Sequence, residues 1–340
     1  MKRVQRSAGG GLLARRPEES ASAGRKGSRR TTRAMAALAV AAGLCLVSQG
    51  AAGVTVAEAA EGRAPAPPTI SQTDVMTHLQ VLQRIADRNG GNRALGTKGD
   101  DESFAHVKRV LDASGFVTHI EPFTYQGKRG HNLIADWPGG DRRHVIMAGA
   151  HLDSVPEGPG INDNGSGSAA LLAVAQAVGK SHLSPQRHLR FAWWDGEEPG
   201  LIGSADYVAA LSPQARSAID SYSNFDQTGS KHVDYRIVTK GDPETYAAYE
   251  KDFAERSQPT FEVDGAGGSD DASFESAGIP LGGFTTGISD CIHEPCDDLS
   301  NVDPATETSS ANTILDVTWS LVTSSHPTAT PEHHQHGDRS

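Results

Sequence analysis

Between residues 71 and 325 the chain alternates two kinds of pattern, and that alternation limits the folds open to it. Seven short runs are rich in β-branched, aromatic and other apolar residues: FVTHIEPFTY, HNLIADW, RHVIMAGA, RHLRFAWW, IDSYSNFD, YRIVTK and PLGGFTT. Among them lie seven helical stretches. In the first, Val75, Leu79, Leu82 and Ile85 recur at helical spacing, Thr73 is the expected cap, and GGN ends the helix. The second covers 100–113, with Phe104, Val107, Val110 and Leu111 inward and Gly115 at its end. The others cover 166–180, 201–211, 243–256, 270–278 and 305–324. Strands alternating with helices give a largely parallel sheet covered on both faces. The expectation is a single-domain α/β/α sandwich with a mixed, mostly parallel central sheet. The sequence shows no internal repeat.

The flanks read differently. Residues 1–60 hold ten Lys or Arg against three Glu, while the whole chain has a net charge of −11, so the remaining 280 residues carry −18. A basic stretch ending in SRRTTR precedes the apolar run 34–47, and an Ala-x-Ala site follows at Ala57 to Ala59. Basic, apolar, then small is the order of an export signal, and the run is shorter than the roughly 20 residues a membrane-spanning helix needs. Residues 1–60 are therefore expected to direct secretion, with no stable membrane association afterwards. Arg29 and Arg30 leave the twin-arginine route open. Residues 61–70, with APAPP, read as a linker, 71–325 as the catalytic domain, and 326–340 as a disordered tail. The His333–His336 stretch HHQH could take up metal adventitiously. An acidic domain argues against nucleic acid as a partner, and a monomer is expected. In an oxidising compartment the close pair Cys291 and Cys296 reads as a disulfide; without a second pair it falls short of a four-ligand structural zinc site.

Ligands of parallel sheets bind beyond the carboxyl ends of the strands. That is where the polar clusters fall. RHVIMAGA runs into His151 and Asp153, and Asp163 precedes a helix. RFAWW ends in Asp195, Glu197 and Glu198, SYSNF ends in Asp226, and DCIHEPCDD carries His293. Adjacent glutamates leaving a buried strand repel each other, so either both are solvated or a cation sits beside them. Imidazole and carboxylate together suit zinc without any thiolate. The segment GSGSAA has dinucleotide-loop spacing, but the short strand-to-glycine turn is missing and Asp163 would repel a pyrophosphate. No G-x-S-x-G elbow is present, so a serine hydrolase lacks support.

AGAHLDSV, GINDNGSGSAA, RFAWWDGEEPGLIGS, NFD and DCIHEPCDDLSN, in this order, resemble the secreted dizinc aminopeptidases of the Streptomyces extracellular type. The resemblance spans about 71–324 and implies the zinc exopeptidase fold, two zinc ions, and peptide substrates with a free N-terminus. It implies that His151, Asp163 and Asp226 hold one ion and that Asp163, Glu198 and His293 hold the other, so Asp163 bridges. Glu197 would be the general base and acid, and Asp153 would orient the His151 imidazole. Glu198 would then face the metals while Glu197 faces the substrate, which answers the question the paired glutamates raise.

Four departures bear on detail. Ile292 stands where the family type has a tyrosine supporting the reaction, Gly268 where it has an arginine, and Gln227 where it has a methionine. The loop between FTTG and DCIH is shorter, so a preference for large apolar N-terminal residues need not carry over. Thr69 and Pro304 occupy the positions of a calcium site in some relatives, and no calcium is expected. The alternatives are a single-zinc aminoacyl cyclotransferase on the same fold and a catalytically weak binding module.

Overall fold

The computed structural model describes residues 66–325. Residues 1–65 and 326–340, which include the export segment, half of the linker and the tail, lie outside the described residues. In chain order the elements are α1 (Gln72–Arg88), α2 (Lys98–Ala113), β1 (Val117–Tyr125), β2 (Lys128–Asp136), β3 (Asp141–His151), α3 (Gly167–Ser181), β4 (Arg187–Trp194), α4 (Ile202–Ala210), α5 (Pro213–Ser217), β5 (Ile219–Phe225), β6 (Arg236–Lys240), α6 (Pro243–Glu255), β7 (Thr260–Asp264), α7 (Asp271–Ser276), β8 (Leu281–Thr285) and α8 (Pro304–Thr323).

The eight strands form one sheet in the order β1-β2-β4-β3-β5-β8-β6-β7. The central β4, β3, β5 and β8 run parallel, β7 runs parallel to β6, and the pairs β1/β2, β2/β4 and β6/β8 are antiparallel. Strand periodicity sends neighbouring residues to opposite faces. Trp193 and Ala148 join an apolar core with α1, α2, α3, α6 and α8, while Trp194 and Met147 join a second core with α4 and α7. The mixed, mostly parallel sandwich expected from the alternation is the fold observed.

Several local expectations shift. α1 is capped by Ser71, not Thr73: the Ser71 hydroxyl accepts from the Asp74 N–H, and the Asp74 carboxylate accepts from the Ser71 N–H, a reciprocal capping box. α2 begins two residues earlier than expected because Thr97 caps it. Strand β7 and helix α5 were not expected. Ile70, assigned to the linker, is buried and belongs to the domain: its N–H donates to Asn312 Oδ1 and its carbonyl accepts from Asn312 Nδ2, each at 2.9 Å. At the other end, Arg187 Nη2 donates to Ser324 Oγ at 2.7 Å and the Gln186 N–H donates to the Val322 carbonyl at 2.7 Å. No described helix is long and apolar enough to cross a membrane.

Candidate metal centre

The parallel strands β4, β3 and β5 end on one side of the sheet, and His151 at the end of β3 lies opposite Trp194 at the end of β4. Glu197 and Glu198 follow β4, and Asp226 follows β5. Asp163 comes from the wide turn Ile161–Ser166 between β3 and α3. That turn opens at Gly160 with φ 60°, where an added Cβ would lie 2.5 Å from the Asp163 carbonyl oxygen and from Ser154 Cβ. It closes at Gly167, where an added Cβ would lie 2.3 Å from the Phe225 carbonyl. Only glycine lets the turn approach the end of β5 so closely.

The turn is held from both sides. Asn164 Nδ2 donates to the Phe225 carbonyl at 2.8 Å, and Asn164 Oδ1 accepts from the Gly167 N–H at 2.9 Å. His293 sits in the loop closed by the Cys291–Cys296 disulfide, in the left-handed region at φ 59°.

The sequence-derived residues converge. His151 Nε2 lies 3.3 Å from Asp163 Oδ1 and 3.6 Å from Asp226 Oδ2. His293 Nε2 lies 3.4 Å from Asp163 Oδ2 and 3.0 Å from Glu198 Oε2. The two oxygens of Asp163 thus face two different histidines. Zinc bonds of about 2.0–2.1 Å in a tetrahedron place neighbouring donors about 3.3 Å apart, close to these four separations. His151 Nε2, Glu198 Oε1 and Asp226 Oδ1 are buried and make no hydrogen bond. Orphaned donors of this kind fit a divalent cation. Glu197 stands further back, with Oε2 3.9 Å from His151 Nε2.

The electrostatics agree. Burial pushes the Glu197 and Glu198 carboxyls up to about 8. It raises Asp226 too, with the Asp163 charge adding to the effect. Burial opposes a charged His151, but the carboxylates of Glu197 and Asp226 outweigh it and hold the imidazole well above its ordinary value. Hydrogen bonding to Asp163 brings His293 up to about 9. Burial thus disfavours the ionised carboxyl groups of the cluster, and a nearby cation would stabilise them.

Asp153 is fully buried and does more than the resemblance implies. Its Oδ1 lies 3.5 Å from His151 Nδ1, and its backbone carbonyl is nearer, at 3.3 Å. Its two carboxylate oxygens also accept from the Glu197 N–H at 3.1 Å and the Glu198 N–H at 3.3 Å, so one side chain fixes both glutamates. Ser168 Oγ donates to the His151 carbonyl at 2.6 Å.

Two further residues were given no role by the sequence. Arg93 is fully buried and donates to the carbonyls of Leu152, Pro159 and Gly160, bracing the chain on either side of the turn. Burial pulls its pKa down, and the charges of Asp153, Asp297, Asp100 and Glu198 oppose that. Asp297, just past the disulfide, accepts from the N–H groups of Asn162 and Asp163.

A cavity of about 410 Å³ opens beside the cluster. Asp163, Glu197, Glu198, Asp226 and His293 form one end, and Ile237, Val263, Ile288 and Ile292 supply apolar wall. Gly268 and Gln227 also line it, so the positions that depart from the family type touch this space. Gln227 is tied down, its Oε1 accepting from the Ser289 N–H at 3.0 Å.

A family model described as Peptidase family M28 matches residues 132–318. Leupeptin-inactivating enzyme 1 of Streptomyces exfoliatus is 41% identical over 311 residues, covering 85% of this chain and 71% of that protein. The chain spans less of other curated relatives, for example 38% of a Pseudomonas aeruginosa aminopeptidase to which it is 38% identical. Among solved structures, an aminopeptidase from Aneurinibacillus sp. strain AM-1 superposes with a TM-score of 0.65 at 16% identity, covering 74% of this chain and 94% of that one. A Bacteroides thetaiotaomicron glutaminyl cyclase bound to N-acetylhistamine superposes with a TM-score of 0.62 at 18% identity, covering 74% of this chain and 99% of that one. These two likenesses are of fold. The matched family model spans the strand ends and the turn that carry the cluster, and the chain belongs to peptidase family M28.

Proposed function

We propose that the protein is a secreted aminopeptidase that uses two zinc ions bridged by Asp163 to remove the N-terminal residue from peptides. The observation that carries this reading is the pair of Asp163 oxygens, one 3.3 Å from His151 and the other 3.4 Å from His293. His151, Asp163 and Asp226 would hold one ion, and Asp163, Glu198 and His293 the other. Bound there, zinc supplies Lewis-acid chemistry, polarising a carbonyl and lowering the pKa of water.

The chain's own residues do the rest. Glu197 accepts the proton of the attacking water and returns it to the leaving amine, one carboxylate serving both directions. Asp153 keeps Glu197 and Glu198 in their places through their N–H groups. The acidic rim attracts the α-ammonium of a free N-terminus, and the apolar wall of the cavity receives the side chain of that residue. The first 60 residues supply export, and the protein acts as a monomer.

Likeness to a glutaminyl cyclase leaves a single-zinc transferase as the competing chemistry, and the fold does not separate the two. The full set of six residues, including His151 and Asp226, favours the two-ion hydrolase. A panel of aminoacyl anilides and of free and N-blocked peptides tests the reading. Free substrates should be cleaved, blocked ones should be inert, and a chelator should abolish activity that zinc restores. Cyclisation of N-terminal glutamine without hydrolysis, with one zinc per chain, would overturn it.

A further inference from the structure

We propose that Asp297 is a positioning residue for the bridging carboxylate: it fastens Asp163 and His293 into one unit, so that both metal positions form or fail together. The proposal rests on the two-ion reading. Asp297 is 1% exposed, and its side chain has a different task for each oxygen. Oδ2 accepts from the Asp163 N–H at 2.9 Å; Oδ1 accepts from the Asn162 N–H at 3.0 Å and from Asn301 Nδ2 at 2.6 Å. The Asp297 carbonyl accepts from the Ile161 N–H at 2.9 Å. Three successive residues of the turn that carries Asp163 are therefore bound to one residue 134 to 136 positions away.

The same short loop carries His293. The disulfide joins Cys291 to Cys296, immediately before Asp297, and the Asp297 N–H donates to the Glu294 carbonyl at 3.0 Å. Gly158 packs so tightly beneath the loop that an added Cβ would lie 2.5 Å from the Glu294 carbonyl oxygen. The loop and the turn thus form one rigid contact, with a ligand of one ion on the loop and the shared ligand on the turn.

A purely structural role would satisfy buried N–H donors and affect stability alone. A positioning role makes a further demand: the Asp163 side chain can serve two ions only if its main chain is held in place. An amide at position 297 keeps the size but turns an NH₂ group toward one of the two N–H donors.

Zinc affinity of the full-length protein, measured against a competing chromophoric chelator, separates the two roles. Asp297→Asn should weaken both ions about 10- to 100-fold, while saturating zinc restores two ions per chain and most of kcat. Asp136→Asn is the control for lost stability. Asp136 is bonded to His188 and Arg190, away from the cluster, and this variant should lower Tm with zinc affinity unchanged. Should Asp297→Asn fail to fold, Asn301→Ala removes one bond to the same carboxylate and should weaken zinc by at least about threefold. The histidine-rich tail is common to all the proteins and cancels in the affinity ratios; alanine at His333, His334 and His336 removes its contribution to the ion count. Parental zinc affinity in the Asp297→Asn protein, or in Asn301→Ala where that stands in, would overturn the proposal, as would loss confined to one ion. A parent that takes up fewer than two ions overturns the two-ion reading, and the proposal with it.

Discussion

Glu197 and Glu198 are neighbours in the chain, yet Glu198 lies 3.0 Å from His293 and Glu197 stands back at 3.9 Å from His151. Their substitution should therefore have different signatures. Glu197→Ala is expected to retain zinc and lose nearly all turnover, a fall in kcat of about 10²-fold or more, whereas Glu198→Ala should lose metal. Metal analysis beside steady-state kinetics checks both, and wild-type kcat in Glu197→Ala would remove it as the base. Ile292 borders the cavity beside His293 and has no group to donate to a developing negative charge. Loss of such a donor costs on the order of 10² to 10³ in rate, so Ile292→Tyr should raise kcat by about tenfold or more, and no gain would count against the missing donor. Single-turnover rates would show it. Most residues now at the cluster were legible because they follow a strand or precede a helix within a short distinctive string, and His293 because it lies between two close cysteines. Arg93 and Asp297 were not: they act on backbone groups 59 to 67 and 134 to 135 positions away, and no local pattern marks such a bond.

At the scale of elements, sequence reading found every long periodic run and missed two short ones, β7 and α5. The apolar stripe of α1 and the continuous run of β4 identified themselves. The five residues of β7 did not: TFEVD alternates polar with apolar residues as a strand should, but the run is short and its Phe261 is exposed. The first cap was misplaced because SQTD offers two hydroxyls, and only the reciprocal bond between Ser71 and Asp74 decides between them. α8 contributes an unexpected feature, the fully buried Glu307, whose Oε2 accepts from Thr228 Oγ1 at 2.9 Å just after β5. Burial pushes this carboxyl up to about 8. The fold therefore favours its protonated form. Its contribution is complete below the ordinary value near 4.5 and is lost as pH rises toward 8, by up to a few kcal/mol. Relative to the parent, Glu307→Gln should gain Tm between pH 5 and pH 8. Parallel melting curves across that range would exclude this account.

At the scale of the whole molecule, one sheet with a core on each face presents its strand ends as a single platform, and the His/Asp/Glu cluster draws on five separate segments that meet beside it. That architecture was readable from alternation alone, since parallel strands with crossovers have few other arrangements. The packing that fastens the domain's extremities was not readable. Ile70 and Asn312 exchange two hydrogen bonds across 242 residues of sequence, and Ser324 is held by Arg187. Clasped ends of this kind resist exopeptidases. Trimming enzymes that nibble inward from either terminus would meet a clasped backbone before reaching the first or last helix. Brief exposure to a nonspecific protease should accordingly leave a durable fragment that starts no later than Ile70 and stops no earlier than Ser324. Weakening the clasp with Asn312→Ala should let digestion advance into α1, read by intact mass.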